Sequence, residues 1–130
     1  MNEIQADYLI IGSGIAGLSL AIKLSELGTV ALLSKRDFLA GSTTYAQGGI
    51  AAVTSPEDSY EKHIEDTLRA GAGLCHETVV RSVVEEGPAC IKELVDWGMA
   101  FTRDDHDEDH PYALGLEGGH SERRVLHAGD

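Results

Sequence analysis

A glycine-rich turn near the start of the sequence has the residue types and spacing to bind phosphate. It reads Gly12-Ser-Gly-Ile-Ala-Gly17 and matches the pattern GxGxxG. In such a turn the first glycine permits a tight bend, the second lets the backbone approach a pyrophosphate, and the third lets a helix pack on a strand. The N terminus of that helix favours anions through its N–H groups and its dipole. The turn therefore predicts dinucleotide binding.

A second stretch could bind something flat and polar. Residues 42–53 read STTYAQGGIAAV, with hydroxyl groups at Ser42, Thr43 and Thr44, an amide at Gln47 and bare backbone at 48–49. Glycine backbone can run close against a ring and offer N–H groups to its heteroatoms. The alternative is an ordinary polar turn before a strand at 50–53.

Regular elements must position the glycine turn. Asp7–Ile11 is a short apolar run typical of a strand buried on both faces. Residues 14–27 have apolar side chains at helical spacing, with Gly28 placed as a C-terminal cap. Val30–Leu33 is a second candidate strand. The order strand, helix, strand predicts a right-handed parallel βαβ unit and an α/β, Rossmann-like fold.

The residues after the second strand leave the kind of dinucleotide open. A dinucleotide fold commonly has Asp or Glu there to hold a ribose hydroxyl, but this sequence has Ser34-Lys35-Arg36. The two cations would suit the 2′-phosphate of NADP. The Ser34 hydroxyl and Lys35 would equally suit the ribose or adenine of FAD.

The second half of the sequence predicts helices and an exposed loop. A helix is expected from Ser55 to Gly71, with Tyr60, Ile64 and Leu68 inward and Glu61, Glu65 and Asp66 on a solvated face. Two separate helices, 77–86 and 88–97, are expected on either side of Gly87-Pro88. The run DDHDEDH at 104–110 is predicted to be an exposed loop, and 114–130 have no clear periodicity.

Composition excludes some partners. The formal net charge is -12, which disfavours sequence-independent binding to nucleic acid or to an anionic membrane. No apolar run is long enough to span a bilayer, and acidic residues stand where a secretory signal would be basic. Cys75 and Cys90 are isolated, which predicts two buried free thiols in a reducing, cytoplasmic compartment.

Four separated motifs resemble the L-aspartate oxidase family, a branch of the succinate dehydrogenase and fumarate reductase flavoprotein superfamily. They are the glycine turn, Leu33-Ser-Lys35, residues 42–53, and Glu117-Gly-Gly-His-Ser121 followed by Arg124 and His127. The resemblance implies FAD. The implied FAD-binding residues are Gly12, Ser13, Gly14, Ile15, Ala16, Gly17, Lys35, Ser42, Thr43, Thr44, Tyr45, Ala46, Gln47, Gly48 and Gly49. Where the dehydrogenase branch has a flavin-linking histidine, this sequence has Ser42, which implies non-covalent FAD.

Glu117 is the candidate for substrate recognition. A carboxylate would attract the ammonium group of aspartate and repel a dicarboxylate that lacks one, and the resemblance implies that Glu117 orients the substrate amino group. The alternative is a solvated loop glutamate. The roles of His120, Arg124 and His127 stay open: Arg124 could pair with a substrate carboxylate, or Arg123 and Arg124 could offset the acidic loop at the surface.

No metal site is expected. His106 and His110 could attract a metal only adventitiously, because ligands on one loop lack imposed geometry.

The resemblance also implies a reaction. L-aspartate would be oxidised to iminoaspartate by hydride transfer to FAD, with oxygen or fumarate as acceptor, in the first step of NAD biosynthesis. Quinolinate synthase is then a candidate partner. The alternatives are a soluble fumarate reductase or succinate dehydrogenase-like flavoprotein and a dinucleotide-binding fragment without catalysis. Residues 1–130 are expected to form an incomplete, N-terminal part of an FAD-binding domain, inactive without capping and C-terminal helical domains.

Overall fold

The computed structural model describes residues 3–37, 49–104 and 111–129. The chain divides into two compact units, residues 1–47 and 48–130.

The first unit is a βαβ arrangement. Strand β1 (Tyr8–Ile11), helix α1 (Ile15–Ser25) and strand β2 (Val30–Leu33) follow one another, and the strands pair in parallel from Tyr8 opposite Val30 to Ile11 opposite Leu33. The predicted order and parallel pairing are confirmed. The Asp7 carboxylate accepts hydrogen bonds from the backbone N (2.8 Å) and the hydroxyl (2.7 Å) of Thr29. This pair fixes the starts of the two strands side by side.

The burial predicted for β1 on both faces is wrong for this unit. Ile10 is buried, whereas Leu9 and Ile11 are 65% and 77% exposed. Side chains alternate across a strand, and the single described helix of the unit can cover only one face of a two-stranded sheet. The apolar run therefore predicts the strand correctly but not its burial on both faces in this unit.

The second unit combines a small antiparallel sheet with two helices. Its elements are β3 (Ile50–Ala51), α2 (Tyr60–Ala70), α3 (Glu77–Asp96), β4 (Leu114–Gly115) and β5 (Val125–Leu126). The strand order is β3-β5-β4, with both pairs antiparallel. The core contains Ala52, Ile91, Phe101 and Leu126. Strands of two residues are too short to give the sequence a detectable period, which is why β4 and β5 were not predicted.

Helix α2 begins later than predicted. Its N-cap is Ser59, whose hydroxyl accepts a hydrogen bond from the Lys62 backbone N at 3.2 Å, and Ser55 precedes it in a separate turn. The buried residues of α2 are His63, Ile64 and Asp66. The prediction that Asp66 lies on a solvated face is therefore wrong. Asp66 can be buried because Arg124, the residue before β5, forms an ion pair with it.

Helix α3 is one continuous helix of 20 residues with Pro88 inside it, so the prediction of two separate helices is wrong. A proline in a helix loses one backbone hydrogen bond, here to the carbonyl of Val84. Val84 and Ile91, on either side of the proline, are both buried. Continuous burial of this face compensates for the missing hydrogen bond.

Both cysteines are free, as predicted, but only Cys75 is even partly buried and Cys90 is exposed. The predicted burial of Cys90 is wrong because it lies on the solvent side of α3. Among the described residues, no helix combines the length and the apolar character that crossing a membrane requires.

Candidate functional site

The glycine turn between β1 and α1 has the tight bend and the close packing that its sequence predicts. Gly12 has φ +118°, a conformation that side chains disfavour, and its N–H donates to the Leu33 carbonyl at 2.9 Å. A Cβ added at Gly17 would overlap the carbonyl oxygen of Gly12. The first glycine thus makes the turn, and the last one lets α1 pack against it.

The N terminus of α1 is suited to an anion. Its N-cap, Gly14, supplies no capping side chain, and no acidic residue lies in the first helical turn. A Cβ at Gly12 would meet nothing within 4 Å, so the turn has open space beside it. The positive end of the helix dipole is therefore not neutralised by a carboxylate from the helix itself. These features, with Ser13, Ile15 and Ala16 at the turn, fit a pyrophosphate.

The turn is tied to the end of β2 by two hydroxyl groups. Ser13 Oγ and Ser34 Oγ are 2.9 Å apart and partly buried. The Ser34 hydroxyl is thus already engaged within the protein, while Lys35, the next residue, is exposed. Of the two candidates at this strand end, Lys35 is the one whose side chain extends into solvent.

Most of the predicted flavin-contacting stretch, Ser42, Thr43, Thr44, Tyr45, Ala46, Gln47 and Gly48, lies outside the described residues. Gly49 is described, and a Cβ there would overlap the carbonyl oxygen of Leu126. The packing of β3 against β5 therefore already requires glycine at position 49, whatever ligand binds nearby.

Glu117 lies in the loop that joins β4 to β5. The antiparallel pairing of Gly115 with Val125 closes the base of this loop. At its tip, the His120 backbone N donates to the Glu117 carbonyl at 3.2 Å, and Gly119 has φ +89°. This is a tight turn with the left-handed residue at its third position. The Glu117 side chain is about half exposed.

The Glu117 carboxylate faces an imidazole. Its Oε1 lies 3.9 Å from Nε2 of His127. A Cβ at Gly115 would overlap that same nitrogen, so the absence of a side chain at 115 lets the imidazole cross β4 toward Glu117. Two of the residues named from the sequence, 117 and 127, are thus brought together.

Arg124 is buried at the centre of an ion-pair cluster. Its side chain is 0% exposed. Its Nε and Nη2 donate to the two carboxylate oxygens of Asp58, both at 2.8 Å, and its Nη1 donates to Asp66 Oδ2 at 2.7 Å. The surface role considered for Arg124 is therefore wrong. All three guanidinium nitrogens thus donate to protein carboxylates in the absence of a substrate.

The cluster shifts the pKa values of its members. Burial raises the pKa of Asp66, but hydrogen bonds from the backbone and hydroxyl of Ser121 and from Arg124 outweigh burial and hold the Asp66 pKa well below its usual range. Burial lowers the pKa of Arg124, and the hydrogen bonds to Asp58 and Asp66 more than reverse that effect. Asp66 and Arg124 are therefore both charged across the physiological range.

Two histidines lie beside this cluster. His120 Nδ1 is 3.2 Å from Arg124 Nη1, and the His63 and His120 rings meet edge to face at 5.6 Å. His63 is buried, and its Nδ1 has no hydrogen-bond partner within the described parts of the chain. Burial, followed by the charge of Arg124 and then by His120, lowers the pKa of His63. The imidazole is therefore held neutral.

Sequence reasoning assigned no role to Asp58, His63 or Asp66. The last two are three residues apart, which places them on one face of α2, and that spacing is the only local signal. Their partner Arg124 is 58 residues beyond Asp66, a separation that no periodicity can reveal.

In the ranges that the structure covers, no group of three or more His, Cys, Asp or Glu side chains is arranged to hold a metal. His106 and His110 lie outside these ranges.

Comparison with known proteins places the chain in one family. Residues 7–130 match the family described as "FAD binding domain". This match covers nearly the whole chain, including both units.

Two curated relatives have the same name. The chain is 53% identical to the L-aspartate oxidase of Vibrio cholerae over 99% of its own length, and 52% identical to that of Pseudomonas aeruginosa over 97%. It spans 24% of the length of each. The chain is thus similar to about a quarter of these proteins.

Solved structures share the fold. A chain of "Quinol-Fumarate Reductase with Menaquinol Molecules" matches with TM-score 0.84 and 34% identity over 100% of this chain and 22% of its own. A chain of "Mycobacterium smegmatis Sdh1 in complex with UQ1" matches with TM-score 0.84 and 31% identity, with the same coverage.

Proposed function

The chain belongs to the FAD binding domain family, and on this premise we propose that the intact protein is an FAD-dependent oxidoreductase that oxidises L-aspartate to iminoaspartate. The observation that carries the proposal is the 53% identity to an L-aspartate oxidase over 99% of the chain. FAD, when bound, supplies the hydride acceptor.

The residues of the chain have separate tasks in this proposal. Gly12, Ser13, Gly14, Ile15, Ala16 and Gly17 hold the pyrophosphate at the N terminus of α1, where the first helical turn has no carboxylate. Lys35 reaches the adenosine from the end of β2. The stretch from Ser42 to Gly49 contacts the flavin.

Glu117 recognises the substrate. Its carboxylate is exposed on a turn whose base is fixed by the β4–β5 pairing. The ammonium group of L-aspartate is attracted to this carboxylate, and succinate, which has only negative charges, is repelled by it. Glu117 thereby orients the α-carbon of the substrate. Oxygen or fumarate would reoxidise the flavin, and iminoaspartate would pass to quinolinate synthase in NAD biosynthesis in the cytoplasm.

A second candidate function is reduction of fumarate or oxidation of succinate. The 34% identity and TM-score of 0.84 to a quinol-fumarate reductase favour it. Anaerobic mixing of the FAD-loaded intact protein with L-aspartate or with succinate separates the two candidates. Bleaching of the visible flavin absorbance by L-aspartate alone is expected. Bleaching by succinate and not by L-aspartate would replace the first proposal with the second.

We propose further that FAD is bound without a covalent link. Serine at position 42 has no imidazole nitrogen to form a bond with the flavin methyl carbon. Acid precipitation of the intact holoprotein should therefore leave the flavin in the supernatant. Yellow colour that stays with the precipitated protein would contradict this proposal.

A further inference from the structure

Asp66 of α2 forms hydrogen bonds to the residue that follows the Glu117 turn. Asp66 Oδ2 accepts hydrogen bonds from the backbone N and the hydroxyl of Ser121, both at 2.7 Å. Ser121 follows directly after the turn that Glu117 and His120 close. The loop between β4 and β5 is therefore fixed at its base by strand pairing and near its tip by Asp66.

The anchor is rigid because Asp66 is itself immobilised. Its side chain is 4% exposed and also receives Nη1 of the fully buried Arg124 at 2.7 Å and a hydrogen bond from Arg69 on its other oxygen. A carboxylate with several charge-assisted donors has little freedom to rotate. Asp66 therefore fixes the position of Ser121 relative to α2.

The loop needs such an anchor. It contains Gly118 and Gly119, and glycine has more backbone freedom to lose than any other residue. Other described links from α2 to the loop are the edge-to-face contact of His63 with His120 and the ion pair of Lys62 with Glu122 (2.7 Å), whose side chains are 46% and 33% exposed. Exposed ion pairs contribute little, and the ring contact of His63 with His120 has no hydrogen bond between the two side chains, so the hydrogen-bonded restraint that α2 exerts next to the Glu117 turn comes from Asp66 through Ser121.

We propose that Asp66 is a positioning residue for substrate recognition: through Ser121 it fixes the turn that presents the Glu117 carboxylate to the ammonium group of the substrate. This inference rests on the function proposed above. Asp66 does not touch the substrate. By holding the turn in place before binding, Asp66 lowers the free energy needed to order Glu117 when the amino acid binds.

The test removes one of the two hydrogen bonds between Ser121 and Asp66, that of the hydroxyl, and keeps the one from the backbone N. Replacement of Asp66 would also leave buried Arg124 short of a partner, so the variant of choice is Ser121→Ala in the intact, FAD-loaded protein. We expect its KM for L-aspartate to rise about tenfold, the size expected for loss of one hydrogen bond to a charged group. Inhibition by succinate, which has no ammonium group, should change less than about twofold. Ser121→Thr, which keeps the hydroxyl, should restore the KM.

A double-mutant cycle with Glu117→Gln gives the readout that a merely structural role would not change. If Ser121 acts through Glu117, Ser121→Ala has little further effect once Glu117 is neutralised. Ser59→Ala is the matched control: it removes the hydroxyl that caps the same helix, α2, at its other end. This control should lower stability without changing the KM for L-aspartate.

Additive effects of Ser121→Ala and Glu117→Gln, or an unchanged KM in Ser121→Ala, would overturn the positioning role and leave the proposed function intact. An equal rise in KM in Ser59→Ala would also overturn it, because loss of stability alone would then explain the effect. A wild-type protein whose flavin L-aspartate does not reduce would overturn both proposals.

Discussion

At the scale of single residues, the arginine that the sequence suggested for substrate binding is a buried structural cation. Arg124 forms a two-point pair with Asp58 and a third hydrogen bond to Asp66. Its neighbour Arg123 is exposed and makes a long contact, 3.4 Å, to the Leu114 carbonyl. Two adjacent arginines thus have different environments, which the sequence RR cannot distinguish.

Replacing each arginine by leucine tests this difference. Arg124→Leu should lower the free energy of unfolding by about 3–5 kcal/mol, because Asp58 would keep a buried negative charge without the cation that pairs with it, and Asp66 would keep only the exposed Arg69. Arg123→Leu is the matched control and should change it by no more than about 0.5 kcal/mol. Chemical denaturation of the two variants measures both values. Equal effects would contradict the burial of Arg124.

His63 makes stability depend on pH. Its pKa in the folded protein lies below the ordinary 6.5, so the unfolded chain binds the proton first as pH falls. The contribution of His63 to the free energy of unfolding is complete above pH 6.5 and is lost as pH falls through the pKa of His63 in the folded protein. Arg124 and His120 oppose protonation, and Asp58 and Asp66 favour it.

Thermal unfolding across this range should therefore show stability falling as pH drops below 6.5, with a shallower fall in His63→Gln. Asp66 does not contribute to that slope. Its pKa is also lowered, so its contribution persists until pH drops below the ordinary 3.8. Identical slopes in the wild type and His63→Gln would assign the effect to other groups.

At the scale of elements, the βαβ unit could be predicted from sequence and the second unit only in part. The first depends on local signals: the β-branched run before Gly12, the helical spacing after it and the glycine turn between them. The second depends on pairings between distant residues, such as Ile50 opposite Leu126. The continuity of α3 through Pro88 also depends on tertiary burial at Val84 and Ile91, which overrides the local preference of Gly-Pro to break a helix.

Two helical glycines should respond in opposite ways to substitution by alanine. In α1, a Cβ at Gly17 would overlap the Gly12 carbonyl, whereas in α3 a Cβ at Gly87 would meet only the Ala52 Cβ at 3.7 Å. Gly17→Ala should therefore destabilise the protein and weaken FAD binding. Gly87→Ala should stabilise it by about 0.5–1 kcal/mol, since alanine is the better helix former. Unfolding and FAD titration measure these effects, and destabilisation by both would contradict the packing described.

At the scale of the whole molecule, the proposed pyrophosphate turn and the proposed substrate-recognising residue lie in different units. The glycine turn lies in residues 1–47 and Glu117 lies in residues 48–130. The glycine turn, a contiguous motif in its structural context, predicted the dinucleotide class, whereas the support for Glu117 depends on Asp66, which is 55 residues before Ser121 and 58 before Arg124. Local motifs could therefore name the candidate site, and only the structure could identify what holds it in place.

In the proposed function, the Glu117 carboxylate makes the site prefer an amino acid to a dicarboxylate without an ammonium group. The most direct measurement compares L-aspartate, as a reductant of the flavin, with succinate, as an inhibitor, in the intact wild type and in Glu117→Gln. Glu117→Gln should weaken the binding of L-aspartate by about tenfold to a hundredfold, as expected for loss of a charged partner, while succinate binds as well as before or better. Equal weakening of both ligands would contradict the claim.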